Sequence, residues 1–368
     1  MDDDVPRPDT ARNETASETA SATASSTTSA TSSTTPEPAR LPLPTADELR
    51  DRARVVALPM AAPFRGITTR EALLIEGPAG WAEFSPFAEY GDPEASTWLA
   101  AAIDDAWMPR PAPLRNRVAV NATMPAVPAA AVPEVLARYD GCRTVKVKVA
   151  ERGQTLADDV ARVAAVREAL GPEGRIRLDA NGGWNVDEAE HAVRALEHYD
   201  LEYVEQPCAS VDELAEVRAR IARLGVPVAA DESVRKASDP LAVARAGAAD
   251  LLVIKAAPLG GVRRALRIVA AAGLPVVVSS ALDTSVGLSM GAALAASLPE
   301  LPYDCGLGTA SLFTADVTHA PLRPANGEIT VGRITPDPAA LDALAASPER
   351  RDWWLARAER CLVLLAGA

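Results

Sequence analysis

The chain of 368 residues contains only three histidines and four cysteines. His191 and His198 fall in a segment with helical spacing, and His319 follows the last predicted strand, so none is well placed to act as a catalytic base. The cysteines are far apart and lack metal-binding spacing, which favours buried free thiols over disulfides or a zinc site. A serine nucleophile is equally poorly supported, because Ser279 and Ser280 end a predicted strand without a histidine partner or a nucleophile-elbow motif.

Excess positive charge and long apolar runs are also missing. The formal net charge of −13 at pH 7 opposes nucleic-acid binding, and no run of about 18 apolar residues predicts a membrane span. The acidic start, Met1 to Asp4, and the lack of a hydrophobic segment before Leu41 do not fit a secretory signal. We expect a cytoplasmic protein whose partner is a small molecule. The sequence does not indicate its oligomeric state.

The first 40 residues differ in composition from the rest of the chain. Residues 15–35 are almost entirely Ser, Thr and Ala, and such a segment cannot bury enough apolar surface to offset the entropy of ordering. We predict that residues 1–40 form a disordered tail.

Short runs rich in β-forming residues recur from residue 118 onward, with starts about 25 residues apart. Most are separated by stretches with helical spacing, such as 155–170 and 186–198. The predicted strands are 118–121, 144–149, 176–181, 202–206, 226–231, 251–255, 276–280 and 303–306. Eight strands with helix-length connections predict a (β/α)7β-type TIM barrel over residues 118–310. A doubly wound open sheet is the alternative.

Residues 41–117 show a different pattern, with strand-like stretches at 71–76 and 81–84 and a helical stretch at 93–107. These features predict an α+β capping domain. The helical stretch from Leu341 to Leu365 is expected to pack on it, so that residues 311–368 complete this domain.

Lysine is scarce, and its positions are informative. Only four of the 37 basic residues are lysine, and three of these end predicted strands: Lys146, Lys148 and Lys255. Arginine cannot deprotonate in a protein, whereas a desolvated lysine near other cations can act as a base. Period-two alternation places Lys146 and Lys148 on one face of their strand, toward the barrel interior. The alternative is an edge strand with solvated lysines.

Three successive predicted strands end in carboxylates, Asp179, Glu205 and Asp231. Strand ends form the active site of a (β/α) barrel, and three converging carboxylates need a cation to compensate their charge. Oxygen ligands of this kind suit Mg²⁺. A single strand-end acid is more often a helix N-cap, but three in order predict a metal site.

Other strand-end residues are candidates for substrate contacts. Ser279 and Ser280 could donate hydrogen bonds to the substrate or simply cap a loop, and the backbone amides around Gly306 and Gly308 could bind an anion. Arg177 lies two residues before Asp179 and so on the same face. It either contacts the substrate or forms a structural ion pair.

Together these residues resemble the pattern of the enolase superfamily, and within it the muconate-lactonizing subgroup, over about residues 41–334. That pattern is Lys-x-Lys, then Asp, Glu and Asp metal ligands, then a lysine on strand six. The resemblance implies that Lys148 is the general base and that Lys255 opposes it across the substrate. It also implies Mg²⁺ ligands, with Mn²⁺ as a substitute, and supporting residues: Asp179, Glu205 and Asp231 for the metal, Lys146 and Asn181 in support.

Four further segments resemble the o-succinylbenzoate synthases of actinobacteria: 64–68, 83–87, 118–123 and 306–309. Those enzymes dehydrate 2-succinyl-6-hydroxy-2,4-cyclohexadiene-1-carboxylate in menaquinone biosynthesis. The resemblance implies that Lys148 removes the proton next to a metal-bound carboxylate. Two alternatives stay open: an N-acylamino-acid racemase or dipeptide epimerase on the same site, and a catalytically inactive binding protein. Against the epimerase, the Asp-x-Asp expected on strand eight is represented only by Asp304.

Overall fold

The computed structural model describes residues 41–64, 66–235 and 239–367. The predicted tail over residues 1–40 lies outside the described residues, as do Arg65 and Lys236. No helix in the described part of the chain is long and apolar enough to cross a membrane. The expectation of a cytoplasmic protein stays a prediction.

The N-terminal region is a three-stranded antiparallel sheet covered by a helix. Its elements are α1 (Ala46–Asp51), β1 (Ala53–Phe64), β2 (Ile67–Gly77), β3 (Gly80–Phe84) and α2 (Asp92–Trp107). The sheet order is β1-β2-β3. A side chain at Gly77 would collide with the backbone of Ala106 in α2, so this glycine allows the helix to lie close to the sheet. Trp98 and Leu99 of α2 are fully buried in the interface.

The barrel follows, with short strands and connecting helices. The strands are β4 (Arg117–Ala119), β5 (Ala122–Met124), β6 (Thr144–Lys148), β7 (Arg175–Asp179), β8 (Leu201–Glu205), β9 (Val228–Ala230), β10 (Leu251–Ile254), β11 (Val276–Val278) and β12 (Glu328–Thr330). The helices are α3 (Val132–Leu136), α4 (Leu156–Leu170), α5 (Val186–Leu196), α6 (Val211–Ile221), α7 (Glu232–Arg235), α8 (Ala242–Arg245), α9 (Val262–Ala272) and α10 (Ser285–Ser297). Short 3₁₀ turns lie at Ala129–Ala131, Glu197–Tyr199, Ala222–Leu224 and Thr309–Leu312.

Seven of these strands form a parallel sheet in the order β11-β10-β9-β8-β7-β6-β5. Cys305 pairs with Val120 on one side, and Gly306 pairs with Ser279 on the other. The backbone nitrogen of Gly306 donates to the carbonyl oxygen of Val278 at 2.8 Å. These bridges close the sheet, so the predicted (β/α)7β barrel is confirmed and the open doubly wound sheet is wrong. The expected eighth strand is reduced to this two-residue bridge.

The first predicted strand, 118–121, differs from the observed one. Val118 of β4 pairs with Ile329 of β12 in an antiparallel ribbon, and only β5 pairs with β6 in the barrel. The predicted strand is therefore divided: Val118 pairs outside the barrel, whereas the Ala119 carbonyl accepts from the Cys305 nitrogen at 2.7 Å and Val120 bridges to Cys305, where the barrel closes.

The C-terminal segment returns to the N-terminal region. The single helix expected over residues 341–365 is in fact two, α11 (Pro338–Ala343) and α12 (Pro348–Ala366). Ser347 caps α12, and Pro348 occupies its first turn, a position where proline starts a helix readily. Trp354 of α12 packs edge-on against Phe84 of β3, with 5.8 Å between ring centroids. The domain boundaries at residues 117 and 310 stay a prediction.

Candidate active site

Two lysines of β6 lie on the barrel side of the strand. Neighbouring side chains of a strand point to opposite faces, so Lys146 and Lys148 share one face. Each is only 8% exposed. The alternative of solvated lysines on an edge strand is wrong, because β6 has a hydrogen-bonded neighbour on each side. Parallel pairing with β7 sets Lys148 opposite Asp179.

Lys146 connects two of the predicted metal ligands. Its Nζ donates to Asp179 Oδ2 and to Glu205 Oε1, each at 2.7 Å. Burial alone would lower the pKa of this ammonium, but the charges of Asp179 and Glu205 outweigh burial and raise the pKa well above its ordinary value. Lys146 therefore stays protonated and neutralises the carboxylates beside it.

Lys148 lies two residues after Lys146, at the C-terminal end of β6. Its Nζ donates to Asp179 Oδ2 at 2.6 Å and to Asn181 Oδ1. Burial would raise the pKa of Asp179, but Lys146 and Lys148 reverse that effect and hold it well below its ordinary value. The backbone of Lys148 is fixed by buried Arg162, whose Nη1 donates to the Lys148 carbonyl at 2.8 Å.

Lys255 follows β10 and pairs with the third predicted ligand. Its Nζ donates to Asp231 Oδ2, and Arg235 Nε donates to Asp231 Oδ1 at 3.1 Å. Burial lowers the pKa of Lys255, Asp231 opposes that shift, and the positive charge of Arg235 adds to it. We name the three lysines and the three predicted metal ligands the lysine–carboxylate cluster: Lys146, Lys148, Asp179, Glu205, Asp231 and Lys255.

The donor set of the cluster suits a divalent cation. Among the described residues, no three acidic, histidine or cysteine side chains are grouped closely enough to hold a metal ion as they stand, because ammonium groups lie between the carboxylates. Glu205 Oε2, however, is buried and has no hydrogen-bond partner in the described part of the chain. Burial and then the charge of Asp179 raise the pKa of Glu205 to about 7. Such a carboxylate lacks sufficient compensating positive charge, which a metal ion would supply.

The cluster opens into a pocket of about 490 Å³, including its mouth. Five of its six members line the pocket, Glu205 being the exception. The remaining lining residues are Phe87, Thr123, Asn181, Arg235, Ser279, Ser280, Ala281, Leu282, Gly306 and Thr309. None of these described lining residues is a histidine.

The predicted substrate-binding residues divide into two groups. Ser279, Ser280 and Gly306 line the pocket, whereas Gly308 does not. Ser280 Oγ already donates to the Gly306 carbonyl at 2.8 Å. A side chain at Gly308 would lie 2.8 Å from the Asn121 carbonyl oxygen, so Gly308 serves close backbone packing. Substrate contacts by the other three stay a prediction.

Arg177 lies below the pocket in the barrel interior and is fully buried. Its Nε donates to Glu202, and its Nη1 donates to Asn121 Oδ1 at 3.0 Å and to the Asp304 carbonyl at 2.7 Å. The guanidinium carbon lies 4.9 Å from the ring centroid of Tyr203. These contacts match the structural ion pair rather than a substrate contact.

Sequence reasoning missed two residues that organise the site. Gln206 is fully buried, and its Oε1 accepts hydrogen bonds from the backbone nitrogens of Asp231 and Ser233 at 3.0 and 3.2 Å. Arg235 lines the pocket and donates to Tyr90 Oη at 3.0 Å. Gln206 directly follows Glu205, which was the only signal available. Arg235 carried none.

Comparison with known proteins places this geometry in a family. The model for enolase C-terminal domain-like proteins matches residues 129–337, more than half of the chain. The chain belongs to the enolase superfamily. The model for enolase N-terminal domain-like proteins also matches, over residues 55–106. The resemblance seen in the sequence implied a barrel with a capping domain, and the structure has this architecture.

Similar members of the enolase superfamily include two mycobacterial proteins. An o-succinylbenzoate synthase of Mycobacterium ulcerans is 58% identical over 331 residues, covering 90% of this chain and 98% of the relative. One of Mycolicibacterium smegmatis is 57% identical over 324 residues, covering 88% and 99%. The predicted resemblance to these synthases is confirmed.

Solved structures of the superfamily share the fold. Muconate lactonizing enzyme from Pseudomonas fluorescens, complexed with muconolactone, is 22% identical with a TM-score of 0.69, covering 80% of this chain and 98% of that one. The L-Ala-D/L-Glu epimerase from Bacillus subtilis is 24% identical with a TM-score of 0.66, covering 77% and 96%. Because identity is low, these likenesses concern the fold alone.

Proposed function

We propose that this chain is an o-succinylbenzoate synthase, a lyase that dehydrates 2-succinyl-6-hydroxy-2,4-cyclohexadiene-1-carboxylate to o-succinylbenzoate in menaquinone biosynthesis. The observation that carries the proposal is one pocket lined by Lys148 and Lys255, two buried lysines on different sides of the barrel, beside three acidic strand ends. The 58% identity to a synthase over nearly its whole length supports the choice of reaction.

Lys148 is the proposed base. It takes the proton from the carbon next to the substrate carboxylate, and the electron pair of that C–H bond forms the new ring double bond as the hydroxyl group leaves. The resulting ammonium of Lys148 returns the proton to the departing hydroxide, so that water is released. Lys255 remains cationic and stabilises negative charge on the substrate carboxylate. The product is aromatic, so the enzyme contributes mainly proton positioning and charge stabilisation.

The charges of the cluster indicate why a cation is needed. With every member ionised, the three ammonium groups balance the three carboxylates. A neutral Lys148 would leave these six residues with a net charge of −1, and Arg235, the further cation bonded to Asp231, is shared with Glu232. Mg²⁺ bound by Asp179, Glu205 and Asp231 would supply the compensating charge and stabilise the developing anion on the substrate carboxylate. Mn²⁺ is a substitute with the same ligand preference.

The test is conversion of the cyclohexadiene carboxylate, followed by ultraviolet absorbance. Wild type, EDTA-treated wild type and Lys148→Ala are compared, each with folding checked by circular dichroism. Rapid turnover by wild type, lost on EDTA treatment, restored by Mg²⁺ and absent from Lys148→Ala, supports the synthase. Lack of turnover by folded, Mg²⁺-loaded wild type contradicts it.

Metal binding is measured separately from activity. Mn²⁺ titration followed by electron paramagnetic resonance reports free ion directly. We expect Glu205→Gln to weaken Mn²⁺ binding by at least about 100-fold, since even outer-shell changes cost up to about that factor. Unchanged Mn²⁺ affinity would remove Glu205 from the ligand set.

A racemase or epimerase is the second candidate, because Lys148 and Lys255 line the same pocket and come from strands separated by β7, β8 and β9. Two such lysines could act as bases on opposite faces of a substrate. Against a dipeptide epimerase, Asp304 accepts a hydrogen bond from Thr144 Oγ1 at 2.5 Å and does not line the pocket. Exchange of the α-proton in D₂O with inversion of an N-acylamino acid would favour the racemase.

A further inference from the structure

The pocket has one apolar side. Among its lining residues, three have apolar side chains of at least one carbon: Phe87, Ala281 and Leu282. We name these three residues the apolar wall. Phe87 follows β3 of the N-terminal region, whereas Ala281 and Leu282 follow β11 of the barrel. The wall is thus formed by two segments that follow strands of different sheets.

One guanidinium contacts all three residues of the wall. Arg70 of β2 is 3% exposed, and its Nε donates to the Leu282 carbonyl at 3.0 Å. Its Nη2 reaches the Ala281 carbonyl at 3.4 Å, and its Cζ lies 4.5 Å from the ring centroid of Phe87. Nη2 also donates to the Ser85 carbonyl, two residues before Phe87. The planar fork therefore fixes both halves of the wall at once.

The backbone of the wall needs this support. Leu282 has a φ of 64°, a left-handed conformation that a leucine rarely adopts. Such a conformation persists only where the surrounding structure holds it. The hydrogen bond from Arg70 to the Leu282 carbonyl and the one from the Ala281 nitrogen to Asp283 Oδ2, at 3.2 Å, support this conformation.

Two buried acids lie near the guanidinium. Glu83 and Asp283 are 3% and 8% exposed, and both compensate the charge of Arg70. Glu83 also anchors the start of α10, because its Oε2 accepts from Thr284 Oγ1 at 2.6 Å and from the Gly287 nitrogen at 3.1 Å. The N-terminal sheet is thereby bonded to the loop and helix that follow β11.

We propose that Arg70 is a positioning residue that sets the apolar wall, and that the wall binds the uncharged carbon skeleton of the substrate opposite the lysine–carboxylate cluster. The N-terminal region thus shapes the pocket through a buried cation that does not itself line it. The identity of that substrate rests on the proposed function, whereas the role of Arg70 in holding the wall does not.

Arg70→Lys keeps the positive charge but loses the planar guanidinium, which donates to several carbonyl groups at once. We expect KM to rise about 10- to 100-fold, the loss that a buried charged hydrogen-bond group typically causes, with kcat changing less than about threefold. The matched control is Arg350→Lys, since Arg350 pairs at 2.6 Å with Glu71, the residue after Arg70 in β2, and is absent from the pocket lining. Arg350→Lys should leave KM unchanged. A rise in KM shared by both variants, or a lower Tm without any rise, would overturn the proposal.

Leu282→Gly tests the wall without touching Arg70, because glycine adopts a left-handed conformation freely. We expect a raised KM, and in the double variant Arg70→Lys/Leu282→Gly a KM no higher than that of the worse single variant. Additive effects would show that the two residues act independently, and an unchanged KM for Leu282→Gly would remove the wall from substrate binding.

Amide hydrogen exchange supplies a readout that does not depend on the reaction. In Arg70→Lys, exchange over residues 281–284 should be faster than in wild type by about tenfold or more, with Arg350→Lys at the wild-type rate. Unchanged exchange would overturn the role of Arg70 even if the synthase activity is present. Absence of synthase activity in wild type would contradict the proposed function while leaving this measurement valid.

Discussion

The lysine–carboxylate cluster and the apolar wall face the same pocket but are held in place by different means. The cluster residues lie within strands of the parallel sheet or directly after them, so the hydrogen bonds of the sheet fix their backbone. The wall consists of two loops joined through the side chain of Arg70. The chemistry and the shape of the pocket therefore rest on separate contacts, and mutations should separate kcat from KM.

The largest expected effect lies within the cluster. Lys148→Arg keeps a positive charge but cannot accept a proton, so kcat should fall by about 10³-fold or more. Lys255→Arg is the matched control, because a residue that acts only as a cation tolerates arginine better. We expect roughly a tenfold loss of kcat there. Steady-state kinetics with calorimetric binding of o-succinylbenzoate would measure both variants. Equal losses of kcat would show that both lysines transfer protons.

Arg177 is buried in the barrel interior and does not line the pocket. Arg177→Met would leave Glu202 without its buried partner and should lower the free energy of unfolding by about 3–5 kcal/mol, with kcat and KM of the folded enzyme unchanged. Urea unfolding measures the first quantity, and kinetics below the unfolding transition measure the second. A raised KM would instead mean that Arg177 contacts the substrate.

Arg175 provides the control for that variant. It lies on the same strand and pairs with Glu202 at 3.6 Å and with Asp304 at 3.5 Å, but its side chain is 47% exposed. Solvent screens such a pair, so Arg175→Met should cost less than about 1 kcal/mol. Similar losses in the free energy of unfolding for the two variants would show that burial does not make the ion pair of Arg177 more stabilising than that of Arg175.

The residues of the cluster could be predicted because strand alternation and strand ends are local properties of the sequence. Lys146 and Lys148 stand two apart on one strand, and each predicted ligand follows an apolar run. Depth along the barrel axis is harder to predict. Arg177 shares a face with Asp179, but two residues of strand place it about 7 Å deeper, below the pocket.

The apolar wall could not be predicted, because its contacts join distant parts of the chain. Arg70 and Leu282 are 212 residues apart, and neither β2 nor the loop after β11 carries a motif that indicates their contact. The same reason explains the missed division between β4 and β5. The pairing of Val118 with Ile329 depends on tertiary structure, not on the local β propensity of either segment.

The smallest expected effect concerns the acid that supports the wall. Burial and then the charge of Asp283 raise the pKa of Glu83 from 4.5 to about 7. Between these values the folded protein holds a proton on Glu83 that the unfolded chain has released. Stability should therefore fall as pH rises from about 5 to 7, by up to about 3 kcal/mol.

Glu83→Gln, which cannot ionise, should lose less stability over this range in urea unfolding at pH 5 and pH 8. Glu76→Gln, at an exposed position of β2, is the control and should follow wild type. If Glu83→Gln also follows wild type, Glu83 is ionised throughout this pH range, and its charge compensates the buried charge of Arg70 at every pH tested.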